Sequence, residues 1–113
     1  MSQWSSERVL PRLHVEMEVR PKRRSEPTIV LLNEEEHRAH IDVNGMHRGE
    51  RSSHVQYQTE RAQAYPLPDW FYSPPHGDTV RSGDYERIFR GSCKFFGIDT
   101  SAVAWVDPDV EVD

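Results

Sequence analysis

The chain has 113 residues, 35% of them apolar, a formal net charge of −5 and a single cysteine, Cys93. That length carries one modest core, and one thiol excludes an intramolecular disulfide and a cysteine-based zinc site. No apolar run approaches the roughly 20 residues that span a bilayer, and the N-terminus lacks the basic-then-apolar pattern of a signal peptide. The expected setting is therefore the cytoplasm.

Mean hydropathy is low, at −0.80, but the Trp, Phe and Tyr residues are spread through periodic segments, which a disordered chain would lack. The expected organisation is a loose N-terminal tail over 1–8, a single domain over 9–106 and an acidic tail over 107–113. From Leu13 the chain alternates: Leu13, Val15, Met17 and Val19 face one way, and His14, Glu16, Glu18 and Arg20 the other. That is the period-2 pattern of a half-buried strand. Pro21 to Pro27 holds two prolines and the basic knot Arg20, Lys22, Arg23 and Arg24, which suits a loop or a wide hairpin tip.

Thr28 to Leu32 is a continuous apolar run that reads as a more deeply buried strand. After the charged break at Asn33 to Glu36, alternation resumes, with Ala39, Ile41 and Val43 opposed by His40, Asp42 and Asn44. Asn44-Gly45 signals a turn, since both residues tolerate positive φ. Val55, Tyr57 and Thr59 predict a fourth strand, which Pro66-Leu67-Pro68 closes.

An aromatic loop, Asp69 to Asp78, precedes one amphipathic helix. Tyr85, Ile88, Phe89, Ser92, Cys93 and Phe96 recur at spacings of three and four, Ser82 or Asp84 can cap the start, and Gly97 suits the stop. Ala102 to Val106 is the candidate fifth strand. The predicted class is α+β, with an antiparallel sheet of four to five strands and the C-terminal helix packed on one face.

Groups suited to chemistry concentrate between His37 and His54. His37 and His40 would share a helix face, but in a strand they point to opposite sides. His40 and Asp42 do share a strand face, and with His47 or His54 they would make a site of two imidazoles and one carboxylate. His47, His54 and Arg48 also have the chemistry for metal-independent RNA cleavage: two imidazoles to move protons and a guanidinium to stabilise charge on phosphate. Solvated histidines on a polar sheet face are the plainer account of both patterns.

Ile41-Asp42-Val43-Asn44-Gly45-Met46-His47-Arg48, then His54-Val55-Gln56, Tyr65-Pro66-Leu67-Pro68 and a helix ending Phe95-Phe96-Gly97-Ile98 resemble a family of small uncharacterised bacterial and phage proteins. More distantly, the pattern resembles the His-rich core of small toxins of toxin–antitoxin pairs. The likeness covers roughly residues 28 to 99 and departs at Gln56, where the family's His-x-His pair has its second histidine. A catalytic or metal role implied by that pair does not carry over to Gln56.

Outside this segment, Trp70, Phe71 and Tyr72 are candidate partner-binding residues, because exposed aromatic side chains dominate binding hot spots. Arg23 and Arg24 are candidates for gripping anionic groups. Cys93 lies on the helix's inner stripe and is expected to be a small buried hydrophobe. With no phosphate loop, nucleophile elbow or HExxH sequence, no cofactor is expected. The expected function is that of a small binding protein of mobile-element or phage-conflict type, an inhibitor, antitoxin or accessory factor. It would act on a macromolecular partner, a protein ahead of RNA, with toxin-type ribonuclease activity as the alternative.

Overall fold

The computed structural model describes residues 13–47, 50–77 and 79–108. Five strands, β1 (Leu13–Arg20), β2 (Arg23–Asn33), β3 (Glu36–His47), β4 (Glu50–Tyr57) and β5 (Tyr65–Pro66), form one antiparallel sheet in chain order. A single helix, α1 (Asp84–Phe95), packs on it, so the fold is α+β. Among the described residues no helix is long and apolar enough to cross a membrane. The predicted tail over 1–8 and most of the acidic tail lie outside the described residues.

The alternating positions in β1 and β3 behave as expected: Val15, Met17 and Val19 are half-buried, whereas Ala39, Ile41 and Val43 are fully buried. Ile29, Ile41, Val43 and Val55 from the sheet meet Tyr85 and Ile88 from α1 and Phe71 from the preceding loop. This is the core, and only one face of the sheet contributes to it. Consequently Thr28 to Leu32 is less buried than its apolar run implied: Ile29 is enclosed, while Val30 and Leu32 remain half-exposed.

The hairpins differ from the sequence reading in two places, Pro21 to Pro27 and Asn44-Gly45. Pro21 to Pro27 is not a loop, because a two-residue turn at Pro21-Lys22 joins β1 to β2, and Pro27 lies inside β2. An interior proline is tolerated because regular pairing lapses around it: β2 pairs with β3 only from Thr28 onward, and its register with β1 breaks between Glu18 and Arg20. The β2–β3 turn is made by Glu34 and Glu35, both with positive φ (54° and 70°), a conformation usually left to Asn and Gly.

Asn44-Gly45 is not a turn either. It lies inside β3, where the register slips by one residue between Asp42 and Gly45, and Asn44 takes φ 55°. The resulting bulge is stitched in place: the Asn44 side-chain amide donates to the carbonyls of Ser25 (2.9 Å) and Pro74 (2.8 Å), and its backbone N–H donates to the Ser53 hydroxyl (3.1 Å). The fourth strand ends at Tyr57, giving way to a short 3-10 turn at Gln58–Glu60. The fifth strand is Tyr65–Pro66 on the sheet edge, and Ala102 to Val106 is irregular. Pro66 fits there because an edge position leaves its missing donor uncontested.

α1 begins after Gly83, whose φ of 88° suits glycine, rather than after a side-chain cap at Ser82. Asp84 nevertheless closes the turn, accepting from the Arg81 N–H at 2.8 Å and the Tyr72 hydroxyl at 2.8 Å. The helix ends as its sequence predicts. Gly97 has φ 80°, its N–H donates to the Lys94 carbonyl, and the Ile98 N–H donates to that of Cys93, which together make a Schellman stop. Cys93 is buried, and burial pushes its thiol pKa up.

Candidate functional site

The sheet face away from α1 carries a line of polar side chains across β2, β3 and β4. Thr28, Asp42 and His54 are cross-strand neighbours. The Thr28 hydroxyl donates to Asp42 Oδ1 at 3.0 Å, while Asp42 Oδ2 lies 3.3 Å from His40 Nε2 and 3.6 Å from His54 Nε2. His40 Nε2 also faces Gln56 Oε1 at 3.1 Å, and its Nδ1 lies 3.2 Å from His37 Nε2. His54 Nδ1 sits 3.3 Å from the Ser52 carbonyl.

Two bulges frame this cluster. The first slips the β2–β3 register between Leu31 and Leu32, and it reverses the expectation for His37 and His40. A regular strand would send them to opposite faces, but the extra residue brings both to one face, with ring centroids 5.2 Å apart. The second bulge, at Asn44, folds Gly45 back over the Asp42–His54 pair. A Cβ at Gly45 would stand 3.0 Å from Asp42 Cβ and 3.3 Å from His54 Cε1. This close passage helps explain why His54 is only 5% exposed on a face that no helix covers.

The electrostatics follow from the contacts. The hydrogen bond to Asp42 raises the His40 pKa above its ordinary 6.5; partial burial opposes this, while the Asp42 charge and Gln56 add to it. For Asp42, burial pushes the pKa upward, but the bond and charge of His40, the Thr28 hydroxyl and His54 outweigh it, and the net direction is downward from 3.8. His40, when protonated, forms an ion pair with Asp42, and both of its imidazole nitrogens then have acceptors. Among the described residues, no group of three or more His, Cys, Asp and Glu side chains is arranged to hold a metal ion.

Of the residues proposed for RNA cleavage, His54 belongs to this cluster. Asp42 is opposite His54, whereas His47 is opposite Glu50, four positions along β4 and about 13 Å away at strand spacing. Only the strand position of His47 is described, and Arg48 lies outside the described residues.

Beside the His–Asp line, the end of the sheet near the β1–β2 turn forms a cavity of about 370 Å³, lined in part by Arg20, Arg23, Glu26, Asp42, Met46 and Arg51. Arg51 reaches Glu26 at 3.1 Å and the Asn44 carbonyl at 3.2 Å. Arg24 does not line this cavity: it is half-buried, its carbonyl accepts from the Tyr85 hydroxyl at 2.8 Å, and its Nε is buried without a hydrogen-bond partner.

The aromatic loop lies on the helix side and divides its roles. Phe71 is core, Tyr72 is half-buried, and Trp70 is 46% exposed. Cations stand over two of these rings: Lys94 Nζ is 4.5 Å from the Trp70 ring centre, and the Arg87 guanidinium 4.0 Å from that of Tyr72. The periodicity of α1 already held this signal, because Arg87, Gly91 and Lys94 recur at spacings of four and three and so share one stripe. Gly91 lies against the loop, with Trp70 and Phe71 ring atoms 3.8–3.9 Å from where a Cβ would be, an ordinary contact distance. Trp70 and Arg23 therefore belong to different surfaces. Comparison with family models, curated proteins and solved structures gives no match.

Proposed function

We propose that this chain is a small binding protein that docks, through Trp70 and the cationic stripe of α1 beside it, on an acidic segment of a protein partner. The observation that carries this reading is the exposed Trp70 ring on a loop fixed at several points. Phe71 anchors the loop in the core, the Pro74 carbonyl is held by Asn44, the Gly77 N–H is held by the Ser25 hydroxyl, and Tyr72 is tied to Asp84. A large ring presented on a rigid base loses little conformational freedom on binding, which is what makes Trp and Tyr effective anchors.

Charge selects the partner. Arg81, Arg87 and Lys94 are exposed around the two rings, while nearby Glu86 is already engaged by Arg90 at 2.8 Å. Such a surface favours carboxylates at its rim and an apolar group against Trp70. An inhibitor or antitoxin acting by occlusion needs no more machinery than this.

The test is capture by the intact chain and by Trp70→Ala and Lys94→Glu variants, with the bound fraction analysed for protein and RNA. The reading expects one stoichiometric protein partner, bound through an acidic segment and lost from both variants while circular dichroism stays unchanged. Capture that survives both substitutions, or a bound fraction consisting of RNA, contradicts it.

A further inference from the structure

We propose that the cavity beside the His40–Asp42 line is a second binding site, taking a phosphate monoester. The site is independent of the Trp70 surface. It gathers three guanidinium groups, Arg20, Arg23 and Arg51, against two carboxylates, Glu26 and Asp42. Both carboxylates are already engaged: Glu26 by Arg51, and Asp42 by His40 and the Thr28 hydroxyl. Arg20 spends hydrogen bonds on Glu18 (3.3 Å) and the Glu26 carbonyl (3.2 Å). Arg23 lines the cavity with no hydrogen-bond or carboxylate partner among the described residues. The positive surplus therefore rests chiefly on Arg23, an exposed side chain lining the cavity.

The volume, about 370 Å³, falls in the range of small-molecule sites and exceeds what one ion needs. A phosphate monoester brings nearly two negative charges and three acceptor oxygens, enough to engage more than one arginine fork. A carboxylate would bring Arg23 a single charge and two acceptor oxygens, with none left to reach toward Arg20 or Arg51. The organic part of the ligand would lie along Met46, whose side chain is exposed at the cavity wall. The Asp42 carboxylate can accept from a ligand hydroxyl there. An RNA backbone offers the same phosphate chemistry with a single charge per group, and the experiment separates the two sources.

Amide chemical shifts of the intact chain are followed while inorganic phosphate, adenosine 5′-monophosphate or hexa-adenylate replaces chloride at constant ionic strength. The expected result is saturable shifts at Arg23, Asp42, Gly45, Met46 and Arg51 with inorganic phosphate and with adenosine 5′-monophosphate, tighter for the nucleotide than for phosphate. Arg23→Ala weakens binding at least about tenfold, Arg23→Lys restores part of it, and Trp70→Ala changes nothing. Shifts that fail to saturate, that persist in Arg23→Ala, or that favour hexa-adenylate over the mononucleotide overturn the proposal. Loss of partner capture in Trp70→Ala bears only on the docking surface, so the two assignments fail separately.

Discussion

Asp42 ties the outer face of the sheet together, and its removal has a signed pH dependence. The His40 pKa is raised above 6.5, so its stabilising contribution is complete below that value and lost as pH rises through the folded-state value. The Asp42 pKa is lowered below 3.8, so its contribution is complete above 3.8 and lost as pH falls through the folded-state value. The ion pair thus stabilises most between 3.8 and 6.5. Asp42→Asn is expected to cost about 1–2 kcal/mol in that window and less in alkaline solution. Urea unfolding at the two ends, together with an NMR titration showing a lower His40 pKa in the variant, checks this. A loss independent of pH would mean that Asp42 acts through packing alone. At Glu34 and Glu35 the expectation runs the other way. Asn and Gly suit the positive φ values that both glutamates adopt, so Glu34→Asn with Glu35→Gly should raise stability by about 1–2 kcal/mol in the same unfolding assay.

At the scale of elements, bulges decide what shares a face. The alternation of Ala39, Ile41 and Val43 was legible because hydrophobic period-2 patterning is written in residue types. The same pattern put His40 and Asp42 on one face, as the structure has them. A bulge leaves no such mark, since one extra residue changes register without changing composition. That is why the His37–His40 contact and the arrival of His54 opposite Asp42 were not readable, and why Asn44-Gly45 read as a turn. The Glu34-Glu35 turn was legible as the charged break at Asn33 to Glu36 but not in its positive-φ conformation, because its residues are not those the conformation prefers, and Pro27 suggested a loop because a lapse in pairing is a tertiary fact. Asn44→Ala removes two side-chain donors from the Ser25 and Pro74 carbonyls and the residue type best suited to φ 55°. It should cost about 2–4 kcal/mol, read by thermal or chemical unfolding. Arg90 plays a similar part after α1, donating to the Thr100 and Val103 carbonyls at 2.6 and 2.8 Å while Trp105 packs on Phe89. Arg90→Ala should speed hydrogen exchange across 100–105 and leave the sheet protected.

For the whole molecule, the sheet's two faces have separate tasks. One buries Ile29, Ile41, Val43 and Val55 under α1 and the aromatic loop, and the other remains polar with its histidines and arginines. The α+β class, the helix and its glycine stop were readable from the sequence because they rest on periodicity and local conformational preference. The sidedness of the candidate sites was not. Trp70, Phe71 and Tyr72 are consecutive, yet one is exposed, one is core and one is half-buried, and only packing distinguishes them. Arg23 and Arg24 are likewise adjacent, and one lines the cavity while the other does not and holds Tyr85 of α1 through its carbonyl. The most direct test of the docking account is the affinity of the captured protein partner for the wild-type chain and for Trp70→Ala, measured calorimetrically. The account predicts a loss of at least about 2 kcal/mol, roughly 30-fold, with no change in fold. Equal affinities would contradict it and move the interface away from the aromatic loop.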